Sequence, residues 1–281
     1  MTTERAAGAG RNGGPQPRQL IVTVYGLYAR EDHGWLSVSS VVRLLADLGV
    51  DEPAVRSSIS RLKRRDVLRS SSRDGVAGYA LAPATVEILR EGDIRIFDRR
   101  RAGSGEGWLL VVFSVPESER DKRHTLRTQL TRLGFGTAAP GVWIAPEHLY
   151  DETVEALGRL GLDRYADVFK AHHLAFGDLT SEVGRWWDLD GLQRRYAEFL
   201  ACYRPVWRCW SRRRTTPPVA AFVDYVRVLT AWRRLPYLDP GLPLDLLPQG
   251  WNGVAAGELF AALHDRLRDP AHDRARTLIN R

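Results

Sequence analysis

The sequence DEPAVRSSISRLKRRD, from Asp51 to Asp66, predicts an amphipathic helix around which the neighbouring segments can be interpreted. Val55, Ile59 and Leu62 recur at i, i+4 and i+7, so they share one face of a helix, the face that packs into a core. Asp51 is a suitable N-cap residue for this helix. The remaining faces are basic and carry several hydroxyl groups.

Shorter predicted elements flank this helix. Ser37 is a suitable N-cap for a preceding helix with its own apolar stripe. Downstream, Asp74-Gly75 is a residue pair typical of two-residue hairpin turns. A first helix begins near Gln19 and presents three apolar residues on one side, namely Leu20, Val24 and Leu27. Three helices followed by a hairpin predict a winged helix-turn-helix domain over residues 18–92.

The basic face of the 51–66 helix suits the major groove of DNA. Arginine can bridge O6 and N7 of guanine, while serine and lysine contact phosphates. A solvated charged face is the alternative interpretation, but the preceding helix and the following hairpin favour nucleic-acid binding. The predicted DNA-contacting residues, on the helix and on the hairpin that forms the wing, are Arg56, Ser57, Ser60, Arg61, Lys63, Arg64, Arg69 and Arg73.

The rest of the chain divides by composition and periodicity. Residues 1–17 are rich in glycine and proline and predict a disordered arm, and residues 93–107 predict an exposed linker. Strand-like and helix-like segments alternate over residues 108–178, which predicts a small ferredoxin-like α+β domain. Residues 179–281 predict a helical C-terminal domain. The fold class is therefore a multidomain α+β protein.

Some segments within these domains can be assigned more closely. In the central domain, residues 137–144 predict a single strand. In the C-terminal domain, prolines separate three predicted helices, which are Leu189–Tyr203, Val219–Leu235 and Ala255–Arg268.

Bulk composition limits the compartment and the partners. The 281 residues carry a net charge of +7, which favours an anionic partner such as nucleic acid, a membrane surface or a phosphorylated ligand. Only Cys202 and Cys209 are present, so a disulfide framework is excluded and a reducing compartment is indicated. The N-terminus is not a signal peptide, and no apolar run is long enough to span a membrane. A soluble cytoplasmic protein without a membrane partner is predicted.

No enzymatic motif is evident. A metal-dependent nuclease usually has a carboxylate where its first strand ends, but here that strand runs into Phe113-Ser114-Val115 with no acid before Glu117. We therefore predict no catalytic residue, no metal site and no cofactor. Dimerisation is the better use of the central domain, since operator-reading modules act in pairs. Two alternatives remain open: a metal-dependent nuclease of the central domain, and a non-specific architectural protein that binds nucleic acid.

Several longer motifs resemble one family. They are Gly49–Glu52, Ala54–Ser57, Ser60–Arg64, Gly134–Gly136, Pro140–Pro146, Trp187–Leu189, Arg195–Phe199, Trp232–Pro236, Asp239–Pro243, Leu246–Pro248 and Trp251. Together they resemble the PaaX-like family, named for the repressor of bacterial phenylacetate catabolism, over residues 18–270. Relatives tend to have glycine after the recognition helix, where this chain has Asp66.

The resemblance implies a winged-helix domain, a central domain similar to a small CRISPR-associated ferredoxin-like nuclease, and a helical C-terminal domain. It also implies a homodimer that binds a double-stranded operator and represses an aromatic-acid catabolic operon. Release from DNA by an acyl-CoA effector, such as phenylacetyl-CoA, is implied as well.

The helical C-terminal region combines aromatic residues with arginines. Arginine pairs with phosphate groups, and aromatic walls suit an acyl group, so this region is the predicted effector site. Packing in the core is the alternative role for the aromatic side chains. The residues predicted to bind the effector are Arg195, Tyr196, Tyr203, Trp232, Arg233 and Arg234.

Overall fold

A computed structural model describes residues 15–30 and 33–280, which form two compact units. The first unit holds the described residues up to Ala82 together with those from Ala275 onward, and the second runs from Pro83 to Arg274. Most of the predicted arm lies outside the described residues. Its last residue does not belong to an arm, because Pro17 is the first residue of a helix.

The first unit combines three N-terminal helices with a small antiparallel sheet. The sheet has the strand order β1-β3-β2, and the β2–β3 pair is a hairpin. Strand β1 was not predicted from the sequence. The elements are α1 (Pro17–Val24), β1 (Trp35–Ser37), α2 (Val38–Asp47), α3 (Glu52–Arg64), β2 (Leu68–Arg73) and β3 (Val76–Leu81).

Local capping and turn signals are confirmed in this unit. The Ser37 side chain accepts a hydrogen bond from the backbone N–H of Ser40, at 3.0 Å, and so caps α2. Asp74 and Gly75 have φ angles of 49° and 77°, as the two central residues of a type I′ hairpin turn require.

The predicted apolar face of the first helix is only partly correct. Leu20 and Val24 are buried, but Leu27 is half-buried and Tyr28 is buried in its place. The cause is a π-helical turn over Tyr25–Ala29, which adds a residue to the turn and shifts the phase of the side chains.

A close backbone approach in the sheet requires glycine at position 78. A Cβ atom at Gly78 would lie 2.5 Å from the Leu36 carbonyl oxygen and 2.5 Å from the Trp35 ring. Gly78→Ala is therefore expected to lower the free energy of unfolding by about 1–3 kcal/mol, because β1 must move away from β3. Urea unfolding would measure this loss, with the exposed neighbour Ala77→Ser as the control. Equal stability of the two variants would contradict the steric argument.

The second unit begins with helix α4 (Pro83–Phe97) and continues into an antiparallel sheet covered by two helices. The sheet has the strand order β5-β6-β4-β7. Its elements follow the order strand, helix, strand, strand, helix, strand: β4 (Trp108–Phe113), α5 (Arg120–Leu133), β5 (Gly136–Ala139), β6 (Val142–Pro146), α6 (Tyr150–Arg159) and β7 (Ala166–Ala171). The single strand predicted over 137–144 is wrong, because Gly141, at φ 80°, turns the chain between β5 and β6.

The helical end of the chain is more continuous than predicted. Its helices are α7 (Leu179–Trp186), α8 (Leu189–Ser211), α9 (Pro218–Trp232) and α10 (Asn252–Ile279). Helices α8 and α10 continue past the predicted ends at Tyr203 and Arg268, and contain Pro205 and Pro270. The last turn of α10 belongs to the first unit, where Arg43 donates a hydrogen bond to the Leu278 carbonyl at 2.9 Å.

The prediction of an exposed linker over 93–107 is only partly correct, because about half of these residues are buried or half-buried. Its first residues belong to α4, and Arg95 is buried and donates to the carbonyls of Arg132 and Leu133 at 3.1 and 2.9 Å. Further along, Arg99 and Arg101 both pair with the carboxylate of Asp239. Arg95, Arg99 and Arg101 therefore have partners elsewhere in the second unit, and their charges do not indicate a solvated linker.

Within residues 15–30 and 33–280, no helix has both the length and the apolar character needed to cross a bilayer. These residues contain no group of three or more His, Cys, Asp or Glu side chains that could hold a metal ion. Cys202 and Cys209 are free and exposed.

Candidate nucleic-acid interface

Helix α3 is fixed at its N-terminus by a tight connection from α2. Gly49, at φ 81°, turns the chain after α2. The Asp51 side chain then accepts a hydrogen bond from the backbone N–H of Ala54 at 2.7 Å, so the predicted N-cap is confirmed. The predicted stripe of Val55, Ile59 and Leu62 is buried, which leaves the polar side of α3 facing solvent.

Seven of the eight predicted DNA-contacting residues are exposed. On α3 they are Arg56, Ser57, Ser60, Arg61, Lys63 and Arg64, and on β2 the exposed residue is Arg69. Arg73, at the tip of the hairpin, is half-buried, with its guanidinium group 5.2 Å from the centre of the Trp35 ring. The structure thus brings the helix and the hairpin residues into one unit, on two consecutive elements.

Two of these arginines pair with carboxylates of the same unit. Arg56 binds Glu52 one turn earlier on α3, and Arg69 binds Asp66 through two hydrogen bonds of 2.8 and 2.7 Å. Hydrogen bonds from Arg69 hold the pKa of the Asp66 carboxyl below its ordinary value. Both pairs are exposed, and exposed ion pairs contribute little stability, so phosphate oxygens can compete for either guanidinium group.

The remaining cations of α3 are more available. The side chains of Arg61 and Arg64 form no hydrogen bond or ion pair with any residue in the described ranges. The ammonium group of Lys63 lies 5.9 Å from the centre of the Tyr79 ring on β3, which is a cation–π distance. An anionic partner would therefore find two unpaired guanidinium groups on the exposed side of α3.

Asp66 has a backbone conformation that usually favours glycine. Its φ angle is 50°, in the left-handed region, two residues after the end of α3. Aspartate tolerates this region better than most residues. Aspartate in place of the glycine found in relatives therefore allows the same turn, and it adds a carboxylate that binds Arg69. Sequence reasoning missed this carboxylate, and Glu52, although each lies within four residues of the arginine that it binds.

The residues predicted to bind an effector lie in the second unit and differ in environment. The aromatic members are buried, and their polar atoms already have partners: the Tyr196 hydroxyl binds Asp239, the Tyr203 hydroxyl binds the Arg227 carbonyl, and Trp232 binds the Ile96 carbonyl. The arginine members are more accessible. Arg195 and Arg234 are exposed, and Arg233 is half-buried.

Three protein-family models match successive parts of this chain. The model described as PaaX-like protein matches residues 16–85. The model for the PaaX protein central Cas2-like domain matches residues 102–183, and that for the PaaX-like protein C-terminal domain matches residues 187–277.

Individual proteins resemble the chain over most of its length. The transcriptional repressor PaaX of Escherichia coli (strain K12) is 26% identical over 259 residues, which are 90% of this chain and 80% of that protein. A solved structure, that of the uncharacterized protein Rv0674 from Mycobacterium tuberculosis, has a TM-score of 0.57 and 23% identity. The match covers 94% of this chain and 98% of the solved chain, and it concerns the fold alone.

Proposed function

The chain belongs to the PaaX-like family, and we propose that it is a sequence-specific DNA-binding transcriptional repressor rather than an enzyme. One observation carries the proposal. Helix α3 buries an apolar stripe and exposes a face of arginine, lysine and serine side chains, directly after the α2–α3 turn. Such a face suits the major groove, where arginine reads guanine and serine binds phosphate.

We propose that the N-terminal region, residues 18–92, acts as a winged helix-turn-helix. Helix α3 is its recognition helix, and the β2–β3 hairpin is its wing. The order of three helices and an antiparallel β1-β3-β2 sheet supports this assignment. In such domains the recognition helix enters the major groove, while the preceding helix lies against the backbone.

We further propose that residues 108–178 form a ferredoxin-like domain through which two copies associate. The order of strands and helices, and the β5-β6-β4-β7 sheet, support the fold assignment. A homodimer places two recognition helices on the two halves of a palindromic operator. Residues 179–281 would then form the helical C-terminal domain. We place this activity in the cytoplasm.

The regulated genes and the effector form the more detailed part of the proposal. An aromatic-acid catabolic operon, released by an acyl-CoA such as phenylacetyl-CoA, agrees with membership in the family. Binding of the effector would change the relative placement of the two recognition helices, and a shift of a few ångströms is enough to break the register of the half-sites.

A gel shift at controlled salt concentrations tests the repressor proposal. The probes are the promoter regions of the protein's own gene and of its neighbouring genes, with random DNA as competitor. A sequence-specific repressor should prefer its operator by a factor of about a thousand or more. Diffuse binding that depends only on salt, without preference for any promoter, would favour a non-specific architectural protein instead.

The nuclease alternative is not favoured by any observation. Strand β4 ends at Phe113, and the residues directly after it carry no carboxylate before Glu117. Incubation of supercoiled DNA with the protein and magnesium tests for nuclease activity. Cleavage that Glu117→Ala abolishes would favour the nuclease.

A further inference from the structure

Helix α5 carries a basic face that the proposed DNA contacts do not use. Arg120, Arg123, His124 and Arg127 recur at i, i+3, i+4 and i+7, so they lie along one side of the helix. The neighbouring side of the helix, which includes Leu126, packs into the core of the sheet. This face therefore combines three guanidinium groups with an imidazole on a rigid element.

The same face borders two adjoining hollows. One has a volume of about 480 Å³ and the other of about 460 Å³, and they share Arg123, Arg127 and Trp143. The first hollow is lined largely by apolar groups, including Phe113 and Pro140. No aspartate or glutamate is among the described residues that line either hollow. We call the two hollows together the α5 pocket.

The charges in the α5 pocket are only partly neutralised. Arg123 is held in place, since it donates to the Val115 carbonyl at 2.7 Å and pairs with Glu117 at 3.1 Å. The guanidinium groups of Arg120 and Arg127 have no hydrogen-bond or ion-pair partner in the described ranges. A concave site with unpaired guanidinium groups and no lining carboxylate attracts anions, and guanidinium binds phosphate or carboxylate through two parallel hydrogen bonds.

The shape and lining of the pocket limit the anion further. Its volumes fall within the range of small-molecule sites, which are typically about 300–1,000 Å³. A nucleic-acid backbone would use the basic strip alone, whereas here the arginines also border an apolar floor that phosphate groups would leave uncovered. An amphipathic ligand uses both features, with an aromatic or acyl group on the floor and anionic groups on the arginines.

We propose that the α5 pocket binds a small organic anion that carries an aromatic or acyl group. The inference rests on the proposed function, because it assigns the effector of that repressor to the central domain and not to the region of Arg195 and Arg234. Two sources share this ligand chemistry: an aromatic carboxylate, and a phosphorylated acyl thioester. Three guanidinium groups along more than one helical turn favour the second source, which has several charges spread over its length.

Calorimetry on the full-length protein tests the proposal with three probes: phenylacetate, coenzyme A and phenylacetyl-CoA. We expect phenylacetyl-CoA to bind more tightly than either part alone. Arg127→Glu and the double variant Arg120→Ala with Arg127→Ala should each weaken that binding at least tenfold. Arg120 and Arg127 are both exposed, so these substitutions should leave the thermal midpoint of unfolding unchanged. The matched controls Arg195→Ala and Arg234→Ala should bind as the wild type does.

Three other results would overturn the proposal that the α5 pocket binds the effector. They are unchanged binding in both α5 variants, loss of binding in the two control variants instead, or no binding of any probe to the wild-type protein. Weaker binding of a random duplex by Arg127→Glu, without any small-molecule binding, would make the face a nucleic-acid contact and would also overturn it. Operator binding, measured on the same preparations, decides the repressor function separately from all of these outcomes.

Discussion

Replacing Asp239 with alanine is expected to lower the free energy of unfolding of the second unit by about 3–5 kcal/mol, the cost typical of removing one partner from a buried ion pair. The Asp239 side chain is 1% exposed and pairs with both Arg99 and Arg101, whose side chains are 17% and 22% exposed. It also accepts a hydrogen bond from the Tyr196 hydroxyl at 2.8 Å and from the Gly241 backbone N–H at 2.9 Å. Alanine would leave two guanidinium groups largely buried without their counter-charge.

The same carboxylate gives the stability a defined pH dependence. Burial alone would raise the pKa of Asp239, but the charges of Arg99 and Arg101 outweigh burial and leave this pKa below its ordinary value. A carboxyl whose folded pKa is depressed stabilises the protein above its unfolded pKa, about 4, and this stabilisation is lost as the pH falls through the folded pKa. Asp239→Asn should therefore remove part of the decline in stability that the wild type shows below about pH 4.

Urea unfolding followed by tryptophan fluorescence measures these effects, because every tryptophan except Trp35 lies in the second unit. Asp245→Ala is the matched control from the same loop, since Asp245 is exposed and its carboxylate has one hydrogen-bond partner within residues 15–30 and 33–280, the Ser104 hydroxyl at 2.7 Å. Its stability should stay close to that of the wild type. A loss of similar size in both variants would show that the loop, and not the buried charge, determines the result.

The contrast between Asp239 and Asp51 illustrates what the sequence can predict. Asp51 caps a helix that starts at the next residue, and its partner Ala54 lies three positions away, so a local pattern reveals the contact. Arg99 and Asp239 are 140 positions apart, and nothing in either neighbourhood indicates the other. Three adjacent arginines, a Gly-Ser-Gly run and the loss of apolar periodicity therefore predict an exposed linker at 93–107.

Helix α8 shows a second limit. Its predicted end is Tyr203, two residues before Pro205, which cannot donate a backbone hydrogen bond. The helix instead continues to Ser211, because Pro205 is on its exposed side and Trp210, further along, is buried and donates to the Asp224 carboxylate at 2.8 Å. Tertiary packing of the later turns offsets the missing hydrogen bond, and such packing is not visible in a local pattern.

The candidate interface was more predictable than the rest, because the positions that face solvent on α3 follow directly from helical periodicity. Helical periodicity does not show which of the basic side chains are paired with a carboxylate and which are unpaired. Arg56 is bound by Glu52, whereas Arg61 and Arg64 have no partner in the described ranges. That division suggests different roles along the helix.

Arg56→Ala is expected to weaken operator binding by about 1–3 kcal/mol while changing the affinity for random DNA much less. Arg56 lies in the second turn of α3, and the N-terminal residues of a recognition helix are those that contact base edges. Its pairing with Glu52 holds the guanidinium group above the exposed face. Arg90→Ala is a suitable control, because Arg90 is also an exposed helical arginine paired with a nearby glutamate, Glu87, but lies on α4.

Arg64→Ala should behave differently, because Arg64 is the last residue of α3, where contact with a phosphate is the expected role. The loss of affinity should be similar on operator and random DNA, and the magnitude of the slope of log affinity against log salt concentration should decrease by about 1. Titrations of both variants at several salt concentrations separate the two roles. If Arg56→Ala also lost affinity equally on both DNAs, Arg56 and Arg64 would contact only the backbone, and the sequence preference of the protein would have to come from other residues of α3 or from the hairpin.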